Sequence, residues 1–409
     1  MRAKAKNRAF IYFLLMMPFI EPQLFKNSGY ESLDRAYAVG KAISAVIVIF
    51  LYIYKKMGKV SLSVVLITLM QMMTFVCTLY NKGSFSRFMG PALTSIAVLM
   101  IGQLVFEKDS GIYFLGYIER YLTIFVCIHS IWFVNNIVQF GILGIAKKTF
   151  IGINNRWIYV LLPWVIIGFV KSYIIYEKVT LREWGKYFVV LAFMLISWSV
   201  GAIIGFLGFG MTYLITRIWI KNIRKHINFV KVYIAILLYN FLLVTEVLLK
   251  PLRYIVVRVF NKDLTLSGRV YLWRTVLSEL KQNIIFARGV QPHDVDMNYF
   301  YVNSGWVQPC KVNHPHNYFL NVAHQGGIIA LIIFIIIWWM CMIWLNKIDS
   351  KRYKGLPIIM ISSFAAFFLA ASVDTLDYSL FYLMVPICVW LGREYGEKKN
   401  AVVDSGSGL

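Results

Sequence analysis

Long apolar stretches separated by short polar segments make up most of the chain. Many of these stretches are close to 20 residues long, which is the length that a helix needs to cross roughly 30 Å of hydrocarbon. The strict alternation of apolar and polar neighbours that marks a membrane β-barrel is absent from the sequence. The pattern therefore predicts an all-α, polytopic membrane protein.

The apolar stretches predict about twelve membrane spans. The stretch 184–216 is long for one span and short for two, and Ser197–Gly201 at its middle is small and polar enough for a turn, so we divide it into two spans. With that division, the spans lie at about 9–25, 36–54, 60–80, 88–106, 113–140, 157–176, 184–216 (two spans), 229–249, 316–345, 357–373 and 378–392.

Clusters of Lys and Arg orient these spans, because such residues accumulate in cytoplasmic segments. The clearest clusters precede the first span, follow 184–216 and follow 316–345; they contain Arg2, Lys4, Lys6, Arg8, Arg217, Lys221, Arg224, Lys225, Lys347, Lys351, Arg352 and Lys354. They predict that both termini are cytoplasmic and that the segment 250–315 is extracytoplasmic. A single span at 184–216 would move that segment inside, against the flanking charges.

Composition agrees with this class of protein. The 409 residues are 59% hydrophobic and 15% charged, whereas soluble domains carry about 25% charged residues. The formal net charge of +23 follows mostly from the cytoplasmic clusters, so we expect no nucleic-acid partner. The five cysteines are scattered, without disulfide or zinc spacing. The basic and then apolar N-terminus lacks a small-residue cleavage site and predicts a membrane helix.

The chain divides into four regions. Residues 1–249 carry spans 1 to 9, residues 250–315 form a large loop, residues 316–400 carry spans 10 to 12 and a cytoplasmic tail, and residues 401–409 end the chain. This last stretch ends in Ser405-Gly406-Ser407-Gly408-Leu409, which is typical of an added linker. The large loop is the long segment that is not apolar, so we expect the chemistry there.

The loop 250–315 is basic, with nine Lys or Arg residues against four Asp or Glu residues. Two interpretations stay open: the charges are solvated or contact anionic headgroups, or they bind a polyanionic substrate. Arginine suits the second because its planar guanidinium binds phosphate oxygens in pairs. The candidate arginines are Arg253, Arg258, Arg269, Arg274 and Arg288.

A helix is predicted within the loop from Ser267, as the cap, to about Gln282. Its apolar residues recur at helical spacing, and they favour an interfacial or packing role for Trp273 over a role as a platform for sugars. Arg269 lies in the first turn of this helix. Arg288-Gly289 then predicts a turn with a charge at its rim.

Histidines gather where the loop meets span 10. Pro315 suits the first position of a helix, with Asn313 or His314 as the cap, which places His316 in the first turn at the outer end of the span. The unpaired N–H groups there favour anions. On the same predicted face, two turns deeper, His324 is either functional or a buried hydrogen-bonding residue. Gly326 and Gly327 predict a close helix approach.

Other charged residues lie near or within the spans. Asp374 and Asp377 fall in the short outer turn before span 12, where they would either hold an acceptor hydroxyl or pair with a loop arginine. Glu119, Arg120 and Lys171 lie near the inner ends of spans 5 and 6, so we interpret them as side chains that snorkel to the interface.

Three features together resemble the O-antigen polymerase and O-antigen ligase superfamily. The first is Ser267-Gly268-Arg269 with Trp273 four residues later, followed by a helix and Arg288-Gly289. The second is His316-Asn317 with Gly327 after nine residues, and the third is about twelve spans with a late, large outer loop. The likeness covers roughly 184–392. It departs at Ser199-Val200-Gly201, where members often have Ser-Arg-Gly, so an arginine there is missing or supplied elsewhere.

The resemblance implies an inverting glycosyl transfer from an undecaprenyl-pyrophosphate-linked glycan, without metal, nucleotide sugar or other cofactor. His316, Arg269 and Arg288 would be catalytic, with His316 acting as a base or as a pyrophosphate ligand. The residues expected to bind pyrophosphate or glycan are Arg274, Arg253, Arg258, Asn317, His314, His324, Asp374 and Asp377. The protein would reside in a bacterial inner membrane, with a chain-length regulator and a flippase as further partners.

The expected function is polymerisation of an O-antigen, capsule or exopolysaccharide. The growing lipid-linked chain would be transferred to the non-reducing end of an incoming lipid-linked repeat unit. One alternative is a ligase that moves the finished glycan to lipid A core or another terminal acceptor. A more distant alternative is a transporter of lipid-linked sugars, which would place charges along a central path rather than in one outer loop.

Overall fold

The computed structural model describes residues 2–26, 29–57, 59–107, 110–141, 149–152, 156–223, 228–259, 261, 263–304, 312–350, 352–375 and 379–396, without the side chains of 140 and 219–223. Fourteen α-helices lie in these ranges: α1 Arg2–Met16, α2 Glu31–Lys56, α3 Leu62–Tyr80, α4 Phe85–Phe106, α5 Gly111–Phe140, α6 Ile158–Tyr176, α7 Leu181–Ile196, α8 Val200–Ile223, α9 Phe229–Val244, α10 Arg269–Gln282, α11 His293–Asn303, α12 Tyr318–Leu345, α13 Gly355–Ala371 and α14 Ser379–Glu394. Short turns of 3₁₀-helix at Met17–Phe19 and Gln23–Lys26 follow α1, and a π-helical turn lies at Ile255–Val259. The all-α prediction is confirmed.

A helix lies at each position where a span is predicted. Within the described ranges, eight helices are long and apolar enough to cross a membrane, and α9 and α13 are apolar but shorter. The stretch 184–216 contains two helices, α7 and α8, which meet at a turn where the small and polar residues predict one. The number of spans and the side on which the large loop lies stay predictions.

The polar segments gather at the two ends of the helix bundle. At one end, the Ser84 N–H donates to the Val290 carbonyl at 2.7 Å, so the α3–α4 turn contacts the large loop. At the other end, the Phe229 N–H donates to Asn346 Oδ1 at 2.8 Å. Helices that alternate in direction place successive turns in this way, and the large loop, the α7–α8 turn and the α13–α14 turn therefore lie at the same end.

Small residues and aromatic rings pack the helices. Gly208 of α8 faces α13 so closely that an added Cβ would lie 2.5 Å from Leu369 Cδ1, which is the kind of contact that lets membrane helices approach. Around α12, Trp338 packs against Phe368 and Phe381 with ring centroids 5.4 Å and 4.6 Å away. The helix α12 is thereby held between neighbours on several sides.

The helix α12 is interrupted at Gly327, where φ is 71°. The N–H of Ile328 donates instead to the Ile284 carbonyl at 2.9 Å, and a Cβ at Gly327 would lie 2.1 Å from the Ile285 carbonyl oxygen. A part of the large loop therefore reaches the helix backbone here. The predicted close helix approach is confirmed at Gly326, which faces Thr74 of α3.

Two predicted helix starts are wrong. The helix α10 begins after Gly268, not after a Ser267 cap, because Leu266, Ser267 and Gly268 all have positive φ and form a turn. The helix α12 begins after Asn317, whose side chain accepts the Leu320 N–H at 3.0 Å. An Asn cap satisfies a free backbone donor at the helix end. His316 consequently precedes the helix and is not in its first turn.

The interpretation of the charges near spans 5 and 6 as snorkelling side chains is wrong for two of the three. Glu119 is only 2% exposed and bonds to Lys171 and Lys186. Arg182, at the start of α7, donates to the same carboxylate at 3.2 Å. Burial of a charge is costly unless it is paired, and here three helices share the pairing. Arg120, in contrast, is exposed.

Candidate functional site

A histidine and a carboxylate form a pair where the large loop meets the helix bundle. His316 Nδ1 lies 3.2 Å from Asp374 Oδ1, and the two side chains are 22% and 16% exposed. His316 has a φ of 48°, a conformation that is uncommon outside glycine and that clusters at functional sites. Asp374 lies in the turn after α13, where its Oδ1 also accepts the Thr375 N–H at 2.8 Å.

Asn317 holds this pair in place. It is fully buried and its amide donates to Asn240 Oδ1 at 2.9 Å and to the Ser372 carbonyl at 3.0 Å. These contacts tie the start of α12 to α9 and to the end of α13, directly beside His316 and Asp374. The structure thus gives the predicted substrate ligand Asn317 a positioning role, and a direct contact with substrate stays a prediction.

Asp374 is ionised in this setting. Burial raises its pKa, but the hydrogen bond with His316 and the positive surroundings outweigh that effect and hold the pKa of the Asp374 carboxyl below its usual range. In the neutral tautomer whose Nδ1–H donates to this carboxylate, Nε2 of His316 carries the lone pair. An imidazole held in one tautomer by a carboxylate is a suitable general base.

His314 packs against the same ring. The two imidazole centroids are 4.2 Å apart, and His314 Nδ1 accepts the backbone N–H of His316 at 3.3 Å. Burial lowers the pKa of His314 to about 3; nearby positive charges act in the same direction, and the Asp374 carboxylate opposes them. His314 is therefore neutral near pH 7, with Nε2–H free to donate.

Arg269 supplies a cation beside the pair. It is the first residue of α10, and its Nε donates to the Val373 carbonyl at 2.9 Å while Nη1 donates to Leu266 O at 3.1 Å. Burial lowers the pKa of Arg269, and the negative charge of Asp374 opposes that shift. A guanidinium keeps its charge in proteins. Hydrogen bonds to two backbone carbonyls thus hold a permanently charged side chain beside the end of α13.

Arg156 was not singled out by the sequence reasoning, although it belongs to this region. It lies just before α6 and is exposed, and its charge acts on the ring of His314. Its Nη1 contacts Gln23 Oε1 at 3.2 Å. The sequence did offer a signal for Arg156: it lies in the predicted outer connection between spans 5 and 6, and the chain lacks the arginine that the resemblance leads one to expect at Val200.

A cavity of about 500 Å³ opens beside these residues. His316 and Arg269 are the basic side chains in its wall. The remaining wall is mainly apolar and comes from α8, α9, the segment 249–256 and the start of α10, with Trp198, Val200, Gly201, Ile204, Tyr239, Leu243, Leu249, Leu252, Ile255, Val256, Leu266, Ser267, Leu272 and Val373. A polar head with an apolar tail would match both parts of this cavity.

Three other predicted arginines lie away from the pair. Arg274 makes two bonds with Glu246, at 2.5 Å and 2.6 Å, and its side chain is 60% exposed. Arg253 and Arg258 are exposed on the segment that walls the cavity. The predicted ligand Asp377 lies outside the described residues. Trp273 is buried and donates to the Pro315 carbonyl at 2.9 Å, which confirms the packing role predicted for it.

Arg288 and His324 belong to a second polar cluster. Arg288 Nε lies 3.4 Å from Asp296 Oδ1, and its guanidinium stacks 3.9 Å from the centre of the Tyr299 ring. His324 Nδ1 lies 3.0 Å from Glu279 Oε2. Glu279 is ten positions after Arg269 on α10, which corresponds to about 15 Å. The structure therefore does not bring Arg288 and His324 to His316.

The pair and its neighbour also meet the geometric requirement for a metal site. Ligand atoms of His314, His316 and Asp374 all lie within 4.8 Å of one another, and two imidazoles with a carboxylate suit transition metals. However, Arg269 acts electrostatically on both Asp374 and His314, and a fixed cation disfavours a second one. The local charge favours an anionic ligand over a metal ion.

Residues 187–335 match a protein-family model described as O-antigen ligase. This match confirms the resemblance to the O-antigen polymerase and ligase superfamily. It includes Arg269 and His316 but excludes Asp374 and Arg156. No curated protein and no solved structure matches the chain.

Proposed function

We propose that the protein is a polysaccharide polymerase that elongates a glycan carried on undecaprenyl pyrophosphate. It would transfer the growing chain to the non-reducing end of an incoming lipid-linked repeat unit. One observation carries this proposal: His316, paired with Asp374, and Arg269 both lie in the wall of a mainly apolar cavity. The family model supports the reaction class, which polymerases and ligases share.

The donor would bind with its polyprenyl chain along the apolar wall of the cavity and its pyrophosphate beside Arg269. A preorganised cation in a partly dry site stabilises the charge that develops on a leaving group. Arg156 adds a second positive charge nearby. The proposal extends to the location: a bacterial inner membrane, with both termini cytoplasmic and the large loop outside.

The chemical step follows from the orientation of His316. Nε2 removes the proton from an acceptor hydroxyl, whose oxygen forms a bond to the anomeric carbon. The bond between that carbon and the pyrophosphate oxygen breaks, and the lipid pyrophosphate leaves with the electron pair. Attack from the opposite face inverts the configuration. A positioned base contributes roughly 10²–10⁴ in rate, with Asp374 stabilising the imidazolium and no metal taking part.

A ligase is the second candidate, because the matching family model is described as O-antigen ligase. Purified protein given only a lipid-linked repeat unit decides between the two candidates. A ladder of chain lengths supports the polymerase. Transfer to added lipid A core without a ladder supports the ligase. Movement of the substrate across the membrane without new glycosidic bonds supports a transporter and contradicts both proposals.

The site is tested with His316→Ala and Arg269→Ala, each expected to abolish elongation at a normal protein level in the membrane. Lys281→Ala is the matched control, because it removes an exposed cation from the same helix as Arg269. Retained elongation in both variants would contradict the assignment. Elongation that persists in a chelator supports the metal-independent reaction, and its loss with recovery on adding a divalent metal would contradict it.

The predicted topology and partners are tested separately. A reporter fused near residue 295 is expected to score as extracytoplasmic, and a cytoplasmic score would contradict the orientation. A chain-length regulator and a flippase are expected to act with the enzyme on the same lipid-linked substrate. Co-expression of a regulator should then narrow the distribution of chain lengths, and an unchanged distribution would contradict the prediction of that partner.

A further inference from the structure

A second, smaller cavity lies between α3, α4, α12 and α14. Its volume is about 130 Å³, and the polar residues in its wall are Gln71, Thr74, Arg87, Tyr318, Asn321, Gln325 and Tyr382. Asn321 is only 7% exposed, and its Oδ1 has no hydrogen-bond partner among the described residues. Buried polar atoms are normally paired with protein, water or ligand. This polar pit therefore offers a free acceptor to a bound molecule.

The polar pit adjoins an apolar groove. The groove has a volume of about 240 Å³, runs between α3 and α4, and shares Gln71 and Phe88 with the pit. Its remaining wall is apolar apart from Thr68 and contains Met72, Phe75, Phe85, Met89, Ala92, Leu93 and Ile96. Because Met72 and Phe85 are more than half exposed, the groove is open on the lipid side of the bundle.

Arg87 lies in the wall of the pit, and Arg288 is joined to it through Asp296. Arg87 bonds to the Gln291 carbonyl and lies 3.4 Å from Asp296 Oδ2, and Arg288 lies 3.4 Å from the other oxygen of the same carboxylate. Two guanidiniums thus share the Asp296 carboxylate, and the Glu279 carboxylate lies within electrostatic reach of Arg288. A guanidinium offers five N–H donors, so both arginines retain donors for phosphate oxygens.

The polar pit and the first cavity lie on different sides of α12. The first cavity is walled by α8, α9 and α10, whereas the pit is walled by α3, α4 and α14. Tyr318, in the wall of the pit, is only two residues after His316. A substrate whose head group occupies the pit therefore starts at the same end of α12 as the candidate base.

We propose that the α3–α4 groove and the polar pit bind the acceptor as a second polyprenyl-pyrophosphate-linked saccharide. The polyprenyl chain lies in the groove, the pyrophosphate lies beside Arg87 and Arg288, and a sugar hydroxyl donates to Asn321. This inference rests on the proposed function, because polymerisation needs two lipid-linked substrates at once. It assigns Arg288, which the sequence placed at the reaction centre, to the acceptor instead.

Binding stoichiometry tests the second site without any reaction. Radiolabelled undecaprenyl pyrophosphate is titrated into protein in nanodiscs, and we expect two equivalents for the unmodified chain. Ala92→Trp fills the groove and Ile204→Trp fills the first cavity, so each should bind one equivalent. Val65→Trp, on an exposed lipid-facing position of α3, should still bind two. One equivalent in the unmodified chain, or two in Ala92→Trp, would overturn the second site.

A competing lipid separates a specific site from the ordinary lipid shell. Excess phosphatidylglycerol should not displace either equivalent, because the pit recognises pyrophosphate and sugar rather than an acyl chain alone. If phosphatidylglycerol displaces the equivalent that depends on the groove, the groove holds an ordinary bilayer lipid, and the proposal is overturned.

Asn321→Leu gives a test that does not depend on filling the groove. Leucine has a similar shape and removes an unpaired acceptor, so the melting temperature should stay equal or rise. The acceptor used is a C-glycosidic analogue of the lipid-linked repeat unit, which keeps the pyrophosphate but cannot act as a donor, because the bond that joins its sugar to the pyrophosphate does not break. Its KM should rise at least tenfold with kcat unchanged. An unchanged KM, or a parallel loss of stability and activity, would show a structural role only.

The outcomes also separate this proposal from the proposed function. Two equivalents bound by a chain that forms no polymer would contradict polymerisation and leave the second site standing. Polymer formed by a chain that binds one equivalent would support polymerisation and contradict the second site.

Discussion

Asp374→Asn tests whether the carboxylate acts through His316. The variant keeps the size of the side chain and removes its charge 3.2 Å from His316 Nδ1. Coulomb's law with an effective dielectric constant of about 20 gives roughly 5 kcal/mol for an imidazolium and a carboxylate at that separation. Both groups are partly exposed, so we halve this value for solvent screening. About 2.5 kcal/mol corresponds to a loss of roughly 10² in kcat.

The assay is a single round of glycosidic bond formation by purified protein in nanodiscs. The lipid-linked repeat unit is kept in excess, and the product is separated by its chain length. We expect kcat to fall and KM to stay within about threefold, because the imidazolium forms only as the acceptor hydroxyl loses its proton. Asp349→Asn, which removes a carboxylate at the opposite end of the bundle, is the control and should keep full activity.

Two results would refute this reasoning. A variant with normal kcat beside an inactive His316→Ala would show that Asp374 does not assist the base. A rise in KM with an unchanged kcat would show that Asp374 binds the acceptor instead, which is one of the two roles that the sequence suggested for it. A normal melting temperature is required in both cases, since Asp374 also caps its own turn.

Three further predictions concern the supports of the site. Gly327→Ala should lower the free energy of unfolding, measured by urea titration, by about 2–4 kcal/mol, because its Cβ would clash with the Ile285 carbonyl and its φ is positive. The control is Gly116→Ala, whose Cβ would meet nothing within 4 Å and which should be neutral in the same titration. His314 has a folded pKa of about 3, below its unfolded value, so its contribution to the free energy of unfolding is full above about pH 6.5 and is lost as the pH falls toward 3. The unmodified protein should therefore lose up to about 2 kcal/mol of stability from this residue between pH 6.5 and 5, and His314→Asn should not show this part of the loss. An unchanged pH profile of stability in the variant would contradict this. Arg156→Ala should raise KM for the lipid-linked donor about tenfold at an unchanged melting temperature, and an unchanged KM would exclude Arg156 from donor binding.

The acceptor site changes how the arginines of the large loop are understood. Arg269 and Arg288 lie in one loop, and the resemblance implied that both are catalytic. In the structure, Arg288 stacks on Tyr299 beside Glu279, and Glu279 lies about 15 Å along α10 from Arg269. Two arginine sites fit an enzyme that holds two lipid pyrophosphates during one transfer.

The sequence by itself determined the helical class and the approximate positions of the helices. Apolar runs of membrane length and clusters of Lys and Arg are local signals, so no knowledge of packing is needed to find them. The turn between α7 and α8 was found for the same reason. The predicted residues Arg269, His314, His316 and Asp374 are brought together in the structure, although their chemical roles stay predictions.

Only the tertiary structure decided which residues share a site. Asp374 meets His316 because Asn317 ties α12 to the end of α13, and Arg156 reaches the region from the segment before α6. Arg288 and His324 lie near His316 in sequence, yet Asp296 and Glu279 hold them elsewhere. Contacts between distant segments depend on how whole helices pack. The spacing of residues along the chain predicts which side chains are neighbours only within a few turns of one helix.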